Sequence, residues 1–298
     1  MPKANANNIQ IEYDTFGDSS SKPILLIAGL GSQMLSWRTE FCEQLVNQNF
    51  YVIRFDNRDV GLSTKFVNAG IPDVMKVMQA VQAGETVETV ETPYTLEDMA
   101  DDAVGLLDAL NVDKAHICGA SMGAYISQIV AFRHPSHVLS LTSIMGSTGN
   151  PALPPPKQKA IRALLTKMSI EREAYIEQSI KRRRVLYGSG FSFDEQKWRT
   201  DSAKSYDRCF YPQGFTRQLA AIRTNGNRKP KLAAVNVPTL VVHGADDPLV
   251  PVEGGKDTAD AIPNAKLLII DGMGHSLPPE TWPQIVKAIT ENANKAYE

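Results

Sequence analysis

The 298-residue sequence predicts an α/β fold: a mostly parallel central sheet flanked by helices and interrupted by a helical insertion. Three observations lead there. Short apolar runs such as Ile24-Leu25-Leu26-Ile27 and Tyr51-Val52-Ile53-Arg54-Phe55 lack the polar alternation of a half-exposed strand and read as strands buried on both faces. Helical segments separate them through short links, as crossovers between parallel strands require. From Gly149-Asn150-Pro151 through Pro154-Pro155-Pro156 the alternation breaks, and helical segments follow without a strand-like run. The expected organisation is a first core part over 1–148, an inserted helical cap over 149–232 and a second core part over 233–298.

In chain order, Ile9 to Phe16 reads as the second arm of an N-terminal edge hairpin. Asn7-Asn8 supplies the turn, and Ile9, Ile11 and Tyr13 alternate with polar residues. The run at Ile24 ends in Ala28-Gly29-Leu30-Gly31, and a helix starting near Ser36 is expected to carry Trp37, Phe41, Leu45 and Val46 inward. The strand at Tyr51 stops at the polar loop Asp56 to Ser63. Met75, Val77, Met78 and Val81 suggest a short helix, whereas Gly84 to Pro93 is acidic and loop-like. Thr95 with Asp98 makes an N-cap signature, after which Met99, Ala103, Leu106, Leu107 and Leu110 recur at helical spacing. Ala115 to Cys118 is the next strand, Tyr125 to Phe132 a helix ended by His134-Pro135, and Val138 to Ile144 another strand. Helical segments in the insertion fall at Ala160 to Met168, Ala174 to Leu186, Phe193 to Phe210 and Phe215 to Ile222. Sheet pattern returns at Pro238 to Gly244 and Lys266 to Ile270, and Thr281 to Tyr297 closes the chain as a helix.

Composition narrows the function classes. With 31 Lys+Arg against 33 Asp+Glu the net charge is −2, so no polyanion-binding surface is indicated and nucleic acid is not an expected partner. Cys42, Cys118 and Cys209 are odd in number and scattered, which fits free thiols in a reducing compartment and argues against a disulfide frame or a metal site. The polar start Met1 to Asn8 has no signal-peptide pattern, and no apolar run approaches the roughly 18 residues of a membrane span. A soluble cytoplasmic chain without cofactor or metal is the expectation, and self-association into a homo-oligomer is compatible with this composition.

The stretch around which the rest is organised is Cys118-Gly119-Ala120-Ser121-Met122-Gly123-Ala124, a Gly-x-Ser-x-Gly turn between strand and helix. Such a turn lifts a serine hydroxyl clear of the sheet, and the helix start aims backbone N–H groups, that of Met122 among them, at a developing anionic oxygen. A serine nucleophile needs a base and an orienting acid. The two late strands end in Gly244-Ala245-Asp246-Asp247-Pro248 and Asp271-Gly272-Met273-Gly274-His275, so Ser121, an aspartate at 246 or 247, and His275 fall at one rim of a parallel sheet. In that order an imidazole can take the serine proton, and a buried carboxylate can hold its tautomer. Singly, each residue also has an ordinary structural reading as turn or loop residue. Jointly, three strand-end residues in this order favour chemistry.

With these residues in place, the chain resembles an α/β-hydrolase with a helical cap over nearly its whole length, and is similar to the aclacinomycin methylesterase group of serine esterases. The motifs are AGLG at Ala28 to Gly31, DNRDVGLS from Asp56 to Ser63, CGASMGAYISQIVA from Cys118 to Ala131, HGADDPLVP from His243 to Pro251 and GMGHSLP from Gly272 to Pro278. The resemblance implies Ser121 as nucleophile and His275 as base. It implies Asp247, three residues after Gly244, as the acid. The N–H groups of Leu30 and Met122 are the implied oxyanion donors. Ala28-Gly29 departs from the His-Gly of many relatives. The implied partner is a small-molecule ester. The same triad on this fold also serves carbon–carbon bond hydrolysis, perhydrolysis or aminopeptidase chemistry, and a hydrolase-fold receptor with little turnover is the non-enzyme alternative.

Other conspicuous residues read as structure. His116 and His243 lie in strands, His134 and His137 flank the helix-ending proline, and Lys181-Arg182-Arg183-Arg184 reads as a solvated helix face. Asp56 and Arg58 are expected to pair at the rim. The aromatics Phe191, Phe193, Trp198, Tyr206, Phe210 and Tyr211 are expected mostly in the core of the insertion.

Overall fold

Strands with apolar residues at every position can only be satisfied between two layers, and that is how the sheet is built in the computed structural model, which describes residues 2–84 and 92–298. The elements follow as β1 (Lys3–Ala6), β2 (Ile9–Phe16), β3 (Lys22–Ile27), α1 (Thr39–Val46), β4 (Phe50–Phe55), α2 (Val74–Gln82), α3 (Leu96–Ala109), β5 (Ala115–Ala120), α4 (Met122–Arg133) and β6 (Val138–Ile144). Five helices come next: α5 (Gln158–Leu165), α6 (Arg172–Leu186), α7 (Glu195–Arg208), α8 (Pro212–Thr224) and α9 (Lys229–Leu232). The chain then closes with β7 (Thr239–Gly244), α10 (Val252–Ala261), β8 (Lys266–Ile270) and α11 (Trp282–Asn294).

The eight strands are ordered β1-β2-β4-β3-β5-β6-β7-β8, antiparallel at β1–β2 and β2–β4 and parallel from β4 to β8. Alternation along β3 shows why the run is continuous: Leu25 and Ile27 join Leu106, Leu107, Ile126 and Ile129 of α3 and α4 on one face. Ile24 and Leu26 join Phe41, Leu45, Ile285 and Ile289 of α1 and α11 on the other. α3 opens on a full capping box, in which Thr95 Oγ1 accepts from Asp98 N at 3.1 Å and Asp98 Oδ2 accepts from Thr95 N at 2.7 Å.

Register decides where chemistry can gather. Ile27 pairs with Gly119, Ala120 with Ile144, Ile144 with Val242 and Gly244 with Ile270. The carboxyl ends of β3, β5, β7 and β8 therefore finish on one line, and the loops after them share one rim.

One local expectation changes and another is left untested. Trp37 is buried but precedes α1, which starts at Thr39, because Met34–Ser36 first makes a 3-10 turn pinned by Met34 N–H on Asp56 Oδ1 at 2.8 Å. The chain leaves the loop after β3 through that turn before it can enter a helix. Of the acidic stretch expected as a loop from Gly84 to Pro93, residues 85–91 lie outside the described residues.

Candidate active site

Between β5 and α4 the backbone turns so tightly that Ser121 takes φ +57° and ψ −119°. A side chain in such a conformation carries strain of about 1–3 kcal/mol, which the flanking glycines make tolerable by permitting the close approach. A Cβ at Gly119 would lie 2.0 Å from Gly123 O, and one at Gly123 would lie 2.0 Å from Ile27 O. No other residue type lets α4 fold back this closely over β5 and β3. Ser121 N–H donates to Ile144 O at 2.9 Å, which ties the turn to β6.

The half-buried Ser121 hydroxyl meets His275. Its Oγ lies 2.9 Å from Nε2, and Nδ1 on the opposite side of the ring lies 2.7 Å from Asp247 Oδ2. The tautomer follows from the partners: Nδ1–H donates to the carboxylate, which leaves Nε2 to accept from the hydroxyl. Asp247 is buried, and its Oδ1 accepts from the N–H groups of Leu249 and Val250, both at 2.8 Å, so the aspartate caps its own turn. The structure thus brings Ser121, Asp247 and His275 into one hydrogen-bonded chain. Asp246 points elsewhere, its Oδ2 accepting from Ser189 Oγ at 2.5 Å.

His243 lies behind the aspartate, fully buried, with Nε2 donating to Val250 O at 2.8 Å and 3.6 Å from Asp247 Oδ2. Burial pulls its pKa below the ordinary imidazole range, which favours a neutral ring beside the carboxylate. The loop bearing His275 is held by the insertion: His275 N–H donates to Leu186 O at 2.6 Å and Gly274 N–H to Tyr187 O at 3.0 Å, both at the end of α6.

The loop after β3 sits against the serine turn, since a Cβ on Gly29 would lie 3.3 Å from Ser121 Cβ. Asn57 Nδ2 donates to Ala28 O at 3.1 Å and fixes its base. Ser32 N–H donates to Gly29 O at 3.1 Å, and Gly31 N–H to Gln218 Oε1 at 2.8 Å. Among the described residues no acceptor sits on the N–H of Leu30 or of Met122. Both groups are thus left without an acceptor inside the protein.

Several supports are not foreseen by the sequence. Gln218 and Gln33 fasten the β3 loop to the inserted helices, Gln33 Nε2 donating to Ser205 O at 2.7 Å and Cys209 O at 2.9 Å. Within α8, buried Arg217 and Gln218 adjoin Leu219-Ala220-Ala221, and a polar pair beside a buried apolar stretch is the one signal that marks them. Asp56 and Arg58 do not pair. Asp56 meets Arg208 at 2.7 Å, and Arg58 meets Asp102 at 2.6 Å, because the two loop residues project to opposite sides, one toward α7 and one toward α3. The basic run in α6 is solvated only in part. Lys181 and Arg184 are exposed, whereas Arg182 donates to Ala163 O and Thr166 O and Arg183 stacks over Trp198 at 4.2 Å. The three cysteines are free, and burial raises the pKa of Cys42 to about 12 and of Cys118 further still, so both stay protonated thiols. Among the described residues no cluster of three or more His, Cys, Asp or Glu could hold a metal, and no helix is long and apolar enough to cross a membrane.

Comparison with known proteins identifies the family. Residues 22–280 match the family described as alpha/beta hydrolase fold. The chain is 28% identical over 315 aligned positions, covering 97% of each chain, to rhodomycin D methylesterase DauP of Streptomyces sp. (strain C5). It is also 32% identical over 173 positions, 57% of this chain and 59% of the relative, to 2-hydroxy-6-oxononadienedioate/2-hydroxy-6-oxononatrienedioate hydrolase 1 of Dechloromonas aromatica (strain RCB). Among solved structures, 2-hydroxy-6-oxo-6-phenylhexa-2,4-dienoate hydrolase from Rhodococcus sp. strain RHA1 superposes with a TM-score of 0.75 at 17% identity, covering 98% of this chain and 97% of that one.

Proposed function

The chain belongs to the alpha/beta hydrolase fold family, and from that premise we propose that it is a serine hydrolase cleaving carboxylic esters of small molecules at Ser121. The observation that carries this reading is the continuous hydrogen-bonded chain from Ser121 Oγ through His275 to Asp247, at 2.9 and 2.7 Å. His275 Nε2 takes the hydroxyl proton as Oγ attacks the ester carbonyl carbon. The carbonyl oxygen gains the negative charge and is held by the N–H groups of Leu30 and Met122. The tetrahedral carbon then expels the alcohol oxygen, which takes the proton from the imidazolium. Water repeats the route: His275 takes its proton, the hydroxide oxygen adds to the acyl carbon, and Ser121 leaves reprotonated with release of the acid. Asp247 keeps the proton on Nδ1 and stabilises the imidazolium, while residues 149–232 act as the cap over this rim.

The full-length relative named as a methylesterase makes a methyl ester the first substrate to try. Carbon–carbon bond hydrolysis by the same residues is the second reading, favoured by the partial relative named as a dienedioate hydrolase. An activated short-chain ester panel run beside a dienone substrate separates the two by the ratio of kcat/KM. Fluorophosphonate labelling should modify Ser121, and Ser121→Ala should abolish both labelling and turnover while thermal unfolding stays near that of the unaltered protein. Turnover retained by Ser121→Ala refutes the assignment.

A further inference from the structure

The loop after β3 presents three successive N–H groups, at Leu30, Gly31 and Ser32, and which of them is left for an oxyanion depends on what already engages the others. Ser32 N–H closes a turn on Gly29 O at 3.1 Å. The N–H of Gly31 is taken by a side chain from outside the sheet domain, Gln218 Oε1 of α8, at 2.8 Å. That leaves Leu30. The amide of Gln218 cannot be turned round without loss, because its Nε2 donates to Arg58 O at 2.9 Å, and an amide oxygen there would face a carbonyl. Gln218 is fully buried, so no water substitutes for either bond. The Arg58 end is itself anchored, the guanidinium meeting Asp102 at 2.6 and 2.7 Å.

We infer that Gln218 is a positioning residue for the oxyanion hole: its carboxamide occupies the Gly31 N–H, fixes the loop against the Arg58 carbonyl, and so selects the Leu30 N–H as the donor toward Ser121. The inference rests on the serine-esterase reading above, and it makes α8 a part of the catalytic apparatus rather than a cover over it. A group acting this way matters more in the transition state than in substrate binding, because only there does the carbonyl oxygen carry charge.

The test is steady-state hydrolysis of a p-nitrophenyl ester together with the inhibition constant of an alkylboronic acid, whose tetrahedral adduct places an oxygen in the hole. Gln218→Met, close in length and without amide groups, should lower kcat by about 10- to 100-fold, below the full loss of an oxyanion donor. KM should move by less than about threefold, and boronate affinity should fall by the factor seen in kcat. Gln218→Glu keeps an oxygen on Gly31 N–H but sets its second oxygen against Arg58 O, so it should lose kcat as Gln218→Met does. An unchanged kcat overturns the inference, and so does a loss shared by KM and thermal stability with boronate affinity retained, which is the pattern of a packing role. Should Gln218→Met not fold, amide NMR of the unaltered protein decides the point. The Gly31 amide should exchange slowly and stay in place on boronate binding while the Leu30 amide shifts; a shift at Gly31 instead overturns the inference. Absence of fluorophosphonate labelling and ester turnover in the unaltered protein would be a failure of the esterase reading itself, distinguishable from these outcomes.

Discussion

Replacing Asp247 by asparagine changes one atom of the site and should stop it. The buried carboxylate serves two clients: Oδ1 accepts from Leu249 and Val250 N–H at 2.8 Å each, and Oδ2 accepts from His275 Nδ1 at 2.7 Å. An asparagine can keep its oxygen on the two backbone donors, which holds the turn, and must then aim its NH2 at Nδ1. The imidazole answers by moving its proton to Nε2, so that a donor now faces Ser121 Oγ at 2.9 Å where a base is needed. The same tautomer swap in a comparable serine triad costs about 10⁴ in kcat, and four decades correspond to roughly 5 kcal/mol of barrier. Stability should change by about 1 kcal/mol or less, since volume and cap are conserved. Asp246→Asn is the control: that half-buried side chain bonds Ser189 Oγ, away from His275, and should leave kcat within about threefold, the scale of a surface change. The measurement is kcat/KM on an activated ester beside thermal unfolding for both variants. Retention of more than about a tenth of activity by Asp247→Asn, or a larger loss in Asp246→Asn, refutes the reasoning.

Arg58→Met should destabilise the fold by about 3–5 kcal/mol in urea unfolding, because it strands the buried Asp102, whose side chain is 2% exposed and retains Asn7 Nδ2 as its neutral hydrogen-bond partner. The double variant Arg58→Met/Asp102→Leu should recover most of that loss, and a single-variant loss below about 1 kcal/mol would show that the pair is solvated. His116 should make the fold acid-sensitive. Burial, with a smaller contribution from Lys22, pulls its folded pKa down to about 4, whereas the unfolded value is near 6.5, so the unfolded chain takes the proton first as pH falls. Stability tied to this group is whole above about pH 6.5 and drains toward pH 4, by up to roughly 3 kcal/mol. Denaturation of the unaltered protein and His116→Gln across that window checks it, and parallel pH profiles would sink it.

The sequence makes legible whatever is forced locally. A strand buried on both faces must be apolar throughout, so β3 and β5 announce themselves, and Thr95 with Asp98 marks the start of α3 within four residues. The serine turn is legible because its glycines answer to a backbone approach so close that an added Cβ would lie 2.0 Å from a carbonyl oxygen. Choosing between Asp246 and Asp247 is different in kind. Both follow the same strand, and only the path of the next three residues decides which one caps the Leu249–Val250 turn and which meets Ser189. The expected pairing of Asp56 with Arg58 fails for the same reason: nearness in sequence suggests a contact, but the partners lie 152 and 44 residues away.

The separate destinations of Asp56 and Arg58 bear on what the inserted helices do. Three carboxylates of the β4 and α3 region, Asp56, Asp59 and Asp102, are buried and each meets an arginine. Two of the three arginines, Arg208 and Arg217, come from α7 and α8. Buried ion pairs add little to net stability once desolvation is counted, so stability is a poor reason for building them. Their second bonds suggest a better one. Asp56 also accepts from Met34 N–H at 2.8 Å and Leu62 N–H at 2.9 Å, and Asp59 accepts from Phe66 N–H at 2.8 Å. Asp56 therefore fixes backbone of the loops after β3 and β4, Asp59 fixes backbone of the loop after β4, and each is made tolerable by a guanidinium from the helices between β6 and β7. Excising residues 149–232 would strand Asp56 and Asp59 and remove the carbonyl anchors of the His275 loop at Leu186 and Tyr187. Loss of activity on such a deletion would thus say nothing about substrate selection, and the contribution of the insertion to chemistry has to be separated by single substitutions that leave these charges paired.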